Sequence, residues 1–453
     1  MAYLCGIDPV LIKLLKVRVF LSAFAENHGL ARGVFHSKIT MNTFFSKQNT
    51  KEKFLVFSWG LYDLANQLFA LNIVSLYFVR WVTIEKQVPE LFYSISFGVS
   101  MFFVALLGPF LGTISDLLHR HRYFLTLFTL TSVIFTIFLG LTENIFLALV
   151  FFAVANFGCQ ISIIFYNALL VNITPKGNIG FVSGIGKMLG YCGALVGLFI
   201  IRPLVLEHGY RAAFIPSGLL FLIFSLPCLF WVRDKKLTSG FKTAELLRKN
   251  KLFSSIKKIY VNAFELIKIP DLVNFLKAAF FFLCVVNIII IFMSVYVTRV
   301  FGLEENQFIN FVLFSTVFAI LGCLLSGYFS DRIGYRRSLF NILILWIACL
   351  LFGAIARSMI AYFLIGPLVG IALGSTWVVS RALAVKIVPP YKMGQAFGLF
   401  SLIGYLSAIV GVFLWGVLIW FLSPLGDSGY RLALLALIFV LLPSFFFLRR
   451  IKI

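Results

Sequence analysis

About twelve apolar runs, each near 20 residues long and separated by short polar breaks, constrain this chain more than any other feature. A helix rising 1.5 Å per residue needs about 20 residues to cross the hydrocarbon core of a bilayer. The runs predict spans at 55–80, 91–115, 123–141, 144–170, 181–202 and 212–232, then at 272–298, 307–329, 338–356, 359–386, 392–421 and 430–448. Of the 453 residues 61% are hydrophobic and 12% charged, too apolar for a water-soluble fold. A membrane β-barrel is excluded, because its strands are short and alternate apolar with polar residues. The fold class expected is an all-α membrane protein.

The net charge of +22 would suggest nucleic-acid binding in a soluble protein, but here the basic residues sit in short loops between apolar runs. Arg120, Arg122, Lys176, Arg332, Arg336, Arg337, Lys392, Arg449, Arg450 and Lys452 fall on one set of breaks. Glu85, Glu90, Glu143, Glu207, Glu304, Glu305 and Asp427 fall on the other. The positive-inside rule makes the first set cytoplasmic, and an even number of spans puts both termini there. The hydrophilic stretch 233–270 carries eight lysines, among them Lys235, Lys249 and Lys258, and reads as a linker between a six-helix bundle at 54–232 and another at 271–453. Residues 1–53 form a basic N-terminal extension whose apolar part is broken by Lys13, Lys16 and Arg18; this suits an interfacial helix or targeting segment, with Met41 as an alternative start. Six of the seven cysteines lie inside apolar runs without a CxxC pair, as small core residues do.

The halves repeat. An offset of 214 takes Ala168 to Ala382, Pro175 to Pro389, Gly180 to Gly394, Gly184 to Gly398, Gly190 to Gly404, Tyr191 to Tyr405 and Gly197 to Gly411. An offset of 215 takes Asp116 to Asp331, each just after an apolar run and before a basic loop. Two six-span repeats in the same orientation are related by an axis along the membrane normal, an architecture suited to alternating access. The segment from Pro109 through Asp116 to Arg122, with its second copy Gly327–Arg337, resembles the cytoplasmic loop motif of the major facilitator superfamily. The stretch Trp59–Asn66, Phe165-Tyr166-Asn167-Ala168 with Ser183, Gly184, Gly190 and Tyr191, and Ser380-Arg381-Ala382 with Pro389, Gly394 and Gly398 resemble its UMF1 branch, which includes vacuolar amino-acid effluxers associated with autophagy. That resemblance implies a transporter fold and a small solute, with amino-acid export the best-attested role of relatives. The chain departs from the branch at Asn172, Lys187, Gln395 and Tyr405, so substrate and coupling chemistry do not transfer.

Asp63 is the one acid well inside a predicted span, where a carboxylate must be paired or face water. It reads either as a coupling site or as a structural carboxylate. Asn66 and Gln67 share its helical face. Lys187, the matching lone cation, either pairs with Asp63 or snorkels to the interface. Asn156, Gln160 and Asn167 in the fourth span, Asn287 in the seventh, and Trp377, Ser380 and Arg381 in the tenth add polar faces to helices that, in the resembled fold, line the central cavity. Arg381 is expected to grip a substrate carboxylate or to brace a gate. A cytoplasmic gate is expected from Asp116 bonded to Arg120 and from Asp331 bonded to Arg332 and Arg336.

No cluster of nucleophile, base or ligand residues points to an enzyme or a cofactor, and His119 with His121 has no further ligands nearby for a metal. Gly186-Lys187-Met188 is no phosphate loop, since Phe181 stands where its first glycine would be. The expected function is a secondary transporter, with a carrier of larger amphiphiles or a non-transporting sensor as alternatives. Its expected partners are the lipid bilayer, a small-molecule substrate and protons or another coupling ion, not nucleic acid, with the chain a monomer. The default location is a bacterial inner membrane, the alternative a vacuolar one.

Overall fold

Twelve helices long and apolar enough to span a bilayer make up the computed structural model, which describes residues 50–88, 90–174, 178–234, 265–302 and 305–452. The N-terminal extension before Thr50 and most of the lysine-rich linker, with the Met41 question, lie outside the described residues. We number the helices α1 (Thr50–Glu85), α2 (Glu90–Leu118), α3 (His121–Leu141), α4 (Ile145–Ile173), α5 (Ile179–His208), α6 (Phe214–Trp231), α7 (Pro270–Phe301), α8 (Glu305–Ile333), α9 (Tyr335–Ile355), α10 (Met359–Ile387), α11 (Met393–Leu422) and α12 (Asp427–Arg449). No strand occurs among the described residues.

Helix α1 outruns its predicted span at both ends. Its later half widens into π-helical turns at Ala70–Tyr77 and Trp81–Glu85, an irregularity that hydropathy does not encode. Helix α5 continues through Pro203 to His208. The larger aromatic side chains divide by environment. Trp59, Trp81, Trp346, Tyr62 and Tyr166 are buried between helices, whereas Phe199, Phe413, Trp420 and Phe439 face outward. Outward phenylalanines are what a lipid-facing surface needs, because lipid tails neither reward nor penalise their burial.

With no hydrophobic force between helices in lipid, close contact rests on small residues and interhelical hydrogen bonds. Gly186, Gly190, Gly193 and Gly197 run along α5 against α1, and a Cβ at Gly193 would strike the Leu64 backbone. Within the first half, Tyr62 hydroxyl lies 2.6 Å from Thr129 Oγ1 and donates to Ser162 Oγ at 2.7 Å, tying α1 to α3 and α4. In the second, Trp346 donates to Thr376 Oγ1 at 2.9 Å and Ser444 to the Ala278 carbonyl at 3.1 Å. Between halves, α2 packs on α11 and α5 on α8 and α10. Charged residues hold the loop ends: Arg211 pairs with Glu143 at 2.8 Å at the acidic end, and Lys392 with Glu265 at 2.7 Å at the basic end. The Lys392 bond holds the Glu265 carboxyl below its usual range.

Candidate functional site

The interior charges meet at one place. Asp63 on α1, 2% exposed, points one carboxylate oxygen to each of two cations. Its Oδ1 lies 3.5 Å from Lys187 Nζ on α5, and its Oδ2 accepts from Arg381 Nη2 on α10 at 3.3 Å. Lys187 and Arg381 are themselves buried, so neither reaches an interface. Pairing offsets the cost of ionic groups in a dry interior. One carboxylate between two cations nevertheless leaves a positive charge over. Among the described residues no second acid pairs with either cation.

Aromatic rings wall this cluster. Trp59 and Tyr166 stack with centroids 4.4 Å apart, fixed by the bond from Trp59 Nε1 to the Tyr166 carbonyl at 3.0 Å. The Arg381 guanidinium lies 5.4 Å from the Trp59 ring and 5.5 Å from the Tyr166 ring, within cation–π range. Lys187 stands 5.9 Å from the Tyr191 ring and 6.0 Å from that of Trp377. Trp59, Tyr166 and Tyr191 are site residues that the charge pattern alone did not select, although all three stand in the motifs quoted for the resemblance.

The other polar residues scatter. Asn66 accepts from the Cys159 thiol at 3.0 Å, and Asn156 donates to Ser100 at 2.6 Å; both bonds tie helices of the first half together. Asn287 donates to Ser407 at 3.3 Å within the second half. Gln67 stands against Gly190 beside Asp63. Gln160 accepts from Tyr405 at 3.0 Å, joining α4 to α11 across the halves. The Asn167 side-chain oxygen and the Ser380 hydroxyl are buried without a hydrogen-bond partner. A cleft of about 430 Å³ opens at the acidic end of α5, lined by Leu198, Phe199, Arg202 and Leu313, and contains none of the interior charges.

At the basic end the two aspartates of the repeated motif act across the halves, but not with the partners expected. Asp116 accepts from the backbone N–H groups of Gly394 at 2.9 Å and Gln395 at 2.7 Å, the first turn of α11. Asp331 accepts from Gly180 and Phe181, both at 2.8 Å, the first turn of α5. A carboxylate suits the open donors and positive dipole of a helix N-terminus. Asp116 also faces His121 at 3.3 Å, and Tyr335 donates to Asp331 at 2.6 Å. The expected bonds from Arg120 to Asp116, and from Arg332 and Arg336 to Asp331, are therefore corrected. Arg120 is exposed, Arg332 covers the Tyr328 ring at 4.2 Å, and Arg336 donates to the Ile451 carbonyl. Loop arginines reach water more cheaply than they reach a buried carboxylate already filled by backbone donors.

Glycines let these ends touch. A Cβ on Gly394 would lie 2.6 Å from the Gly112 carbonyl oxygen, and one on Gly327 would lie 2.5 Å from that of Gly180. Replacing Asp116 or Asp331 by Ala is expected to weaken the closed arrangement of this end by about 1–2 kcal/mol each, the worth of a helix cap with its dipole term. Faster alkylation of a cysteine placed at Ser115 or Ser330, against the same cysteine in an otherwise unaltered chain, checks it.

A family model for the Major Facilitator Superfamily matches residues 64–412 and 309–452. The chain belongs to that superfamily. It is 25% identical over 397 residues to an uncharacterized protein of Aquifex aeolicus (strain VF5), covering 87% of this chain and 96% of the relative. It is 24% identical over 411 residues to the uncharacterized MFS-type transporter YxiO of Bacillus subtilis (strain 168), covering 86% and 94%. Among solved structures it resembles the human organic anion transporter MFSD10 (TETRAN), with TM-score 0.66 and 15% identity over 88% of this chain and 100% of that one. It also resembles the proton:xylose symporter XylE, with TM-score 0.63 and 13% identity over 89% and 95%. A bacterial homologue of the iron transporter ferroportin matches with TM-score 0.64 and 16% identity over 88% and 99%. These likenesses establish the fold. As a member of this superfamily the chain is an integral multi-pass membrane transporter and not an enzyme.

Proposed function

We infer that this transporter carries a small polar solute by alternating access, with Asp63, Lys187 and Arg381 at the centre of its pathway. One observation carries the reading. Asp63 and Lys187 belong to the first six helices and Arg381 to the second six, so the buried bond between Asp63 and Arg381 crosses the interface on which the halves would rock. A buried ion pair across a moving interface must be exchanged for something else when the halves part, and a solute or proton is the natural replacement. The capped ends of α5 and α11 then form the cytoplasmic gate, consistent with the positive-inside pattern, which also puts both termini in the cytoplasm.

Membership of the UMF1 branch, and amino-acid efflux as the specific activity, is the narrower reading that the motif resemblance favours. The solved relatives include carriers of organic anions and xylose and a homologue of an iron transporter, so the fold itself does not choose among substrates. We place the chain, as a monomer, in a bacterial inner membrane. The test is flux of labelled amino acids in proteoliposomes with and without a proton gradient. Gradient-driven flux that Asp63→Asn abolishes is the expected result, and absence of amino-acid flux from a folded preparation would sink that substrate.

A further inference from the structure

We propose that the central site takes a solute of net charge −1 headed by a carboxylate, held on Arg381, in preference to a neutral or zwitterionic one. This rests on the alternating-access reading and names its substrate class.

The first support is charge. Two cations share a single carboxylate deep between α1, α5 and α10, and the excess positive charge has no protein counter-ion among the described residues. An uncompensated interior charge is costly unless something answers it. The groups that face the cluster from the packed helices include Trp59, Gln67, Tyr166, Tyr191, Cys323 and Trp377, and none of them carries an anion.

Unspent hydrogen-bonding capacity is the second, independent support. Arg381 is 7% exposed, yet its Nη1 makes no hydrogen bond of normal geometry; the Tyr166 hydroxyl, itself without another such bond, stands close enough to the guanidinium to interact with it. Guanidinium offers donors alone, whereas the hydroxyl can accept from it and still has its own proton to donate. Two adjacent buried donors beside a surplus positive charge call for an anionic acceptor. A carboxylate fits, since its two oxygens match the parallel N–H groups of an arginine.

The same bookkeeping disfavours a neutral amino acid. Its ammonium group would bring a third cation beside Lys187 and Arg381, and a solute of zero net charge would leave the surplus positive charge unanswered. A monoanion answers that surplus. On binding Arg381 it can also take over the role of Asp63, so that the bond between the halves is released only when solute is present. That exchange couples binding to movement.

Matched pairs of carboxylate and amide separate charge from shape. The purified full chain in detergent is heated with lactate or lactamide, benzoate or benzamide, glutamate or glutamine, and with leucine, all at matched ionic strength with chloride as reference. At least one carboxylate is expected to raise the melting temperature and to bind at least about tenfold more tightly than its amide, because a site built around a charged partner discriminates strongly against the analogue that lacks it. Arg381→Gln is expected to remove that difference. Since the variant can fail to fold, wild-type tryptophan emission gives a second readout, as Trp59 lies under the guanidinium. The same carboxylate should change it and the amide should not. Equal stabilisation by an amide, by leucine or by chloride overturns the proposal, as does a panel in which no carboxylate acts. Leucine flux without carboxylate binding would sink this inference and leave the transporter reading intact. Carboxylate binding without any flux would do the reverse.

Discussion

Asp63→Asn is expected to destabilise the detergent-solubilised protein by about 3–5 kcal/mol, because it removes one partner of a buried ionic cluster and leaves two cations facing each other. The geometry ranks the two partners. Arg381 hydrogen-bonds to the carboxylate at 3.3 Å, whereas Lys187 stands off at 3.5 Å and is held also by its contacts with Tyr191 and Trp377. A second substitution, Lys187→Met, restores the original net charge and conserves much of the side-chain length. The double variant should therefore recover about 1–3 kcal/mol of the loss, the usual coupling between residues in one ionic network. Thermal or denaturant unfolding of the four members of the cycle measures it. Additive losses, or an Asp63→Asn variant as stable as the parent, would mean that the interior charges do not sense one another and would remove the basis for placing a site there.

Hydropathy alone made the twelve helices legible, since nothing else in a polypeptide of this length places apolar runs of about 20 residues at such regular intervals. The limits of the helices were less legible. The π-helical turns of α1 at Ala70–Tyr77 pack against α5, α6 and the Tyr210–Ala213 turn, and no propensity marks them. Of the candidate site, Asp63, Lys187 and Arg381 stood out because an ionisable residue in lipid is costly wherever it occurs. Asn66, Asn156 and Asn287 stood out as polar positions on apolar helices, but an amide can bond a thiol or hydroxyl on a neighbouring helix, and each has found one. Sequence gives polarity and helical face; it does not say which neighbour answers a polar group. The gate carries the same lesson. Arginines next to Asp116 and Asp331 in the chain suggested side-chain pairs, while the actual partners are backbone N–H groups some 150 or more positions away, invisible to any reading of side-chain type.

Those backbone partners make Gly180 and Gly394 the places where a small change should have the largest conformational effect. At Gly394 an added Cβ would meet the Gly112 carbonyl oxygen and Ser115 Oγ, both at 2.6 Å, and Asp116 Oδ1 at 3.1 Å. At Gly180 it would meet the Gly327 carbonyl at 2.6 Å, Asp331 Oδ1 at 3.0 Å and Ser330 Oγ. The obstructing carbonyls are helix backbone and cannot turn aside, so the helices themselves must separate. Forcing extra carbon into such contacts costs about 1–3 kcal/mol per site, and two sites in different helix pairs should add roughly. Inverting a 99:1 preference requires about 5.5 kcal/mol, so the Gly180→Val/Gly394→Val double variant lies within reach of reversing the closed state, whereas either single change should only broaden it. Spin labels at Arg120→Cys and Arg337→Cys, both on exposed positions of the basic loops, report the distance between the halves. The double variant should lengthen that distance while helix content stays constant. An unchanged distance in a folded double variant would mean that the contacts of α2 with α11 and α5 with α8 yield locally, and that this end does not open as a rigid pair of bundles.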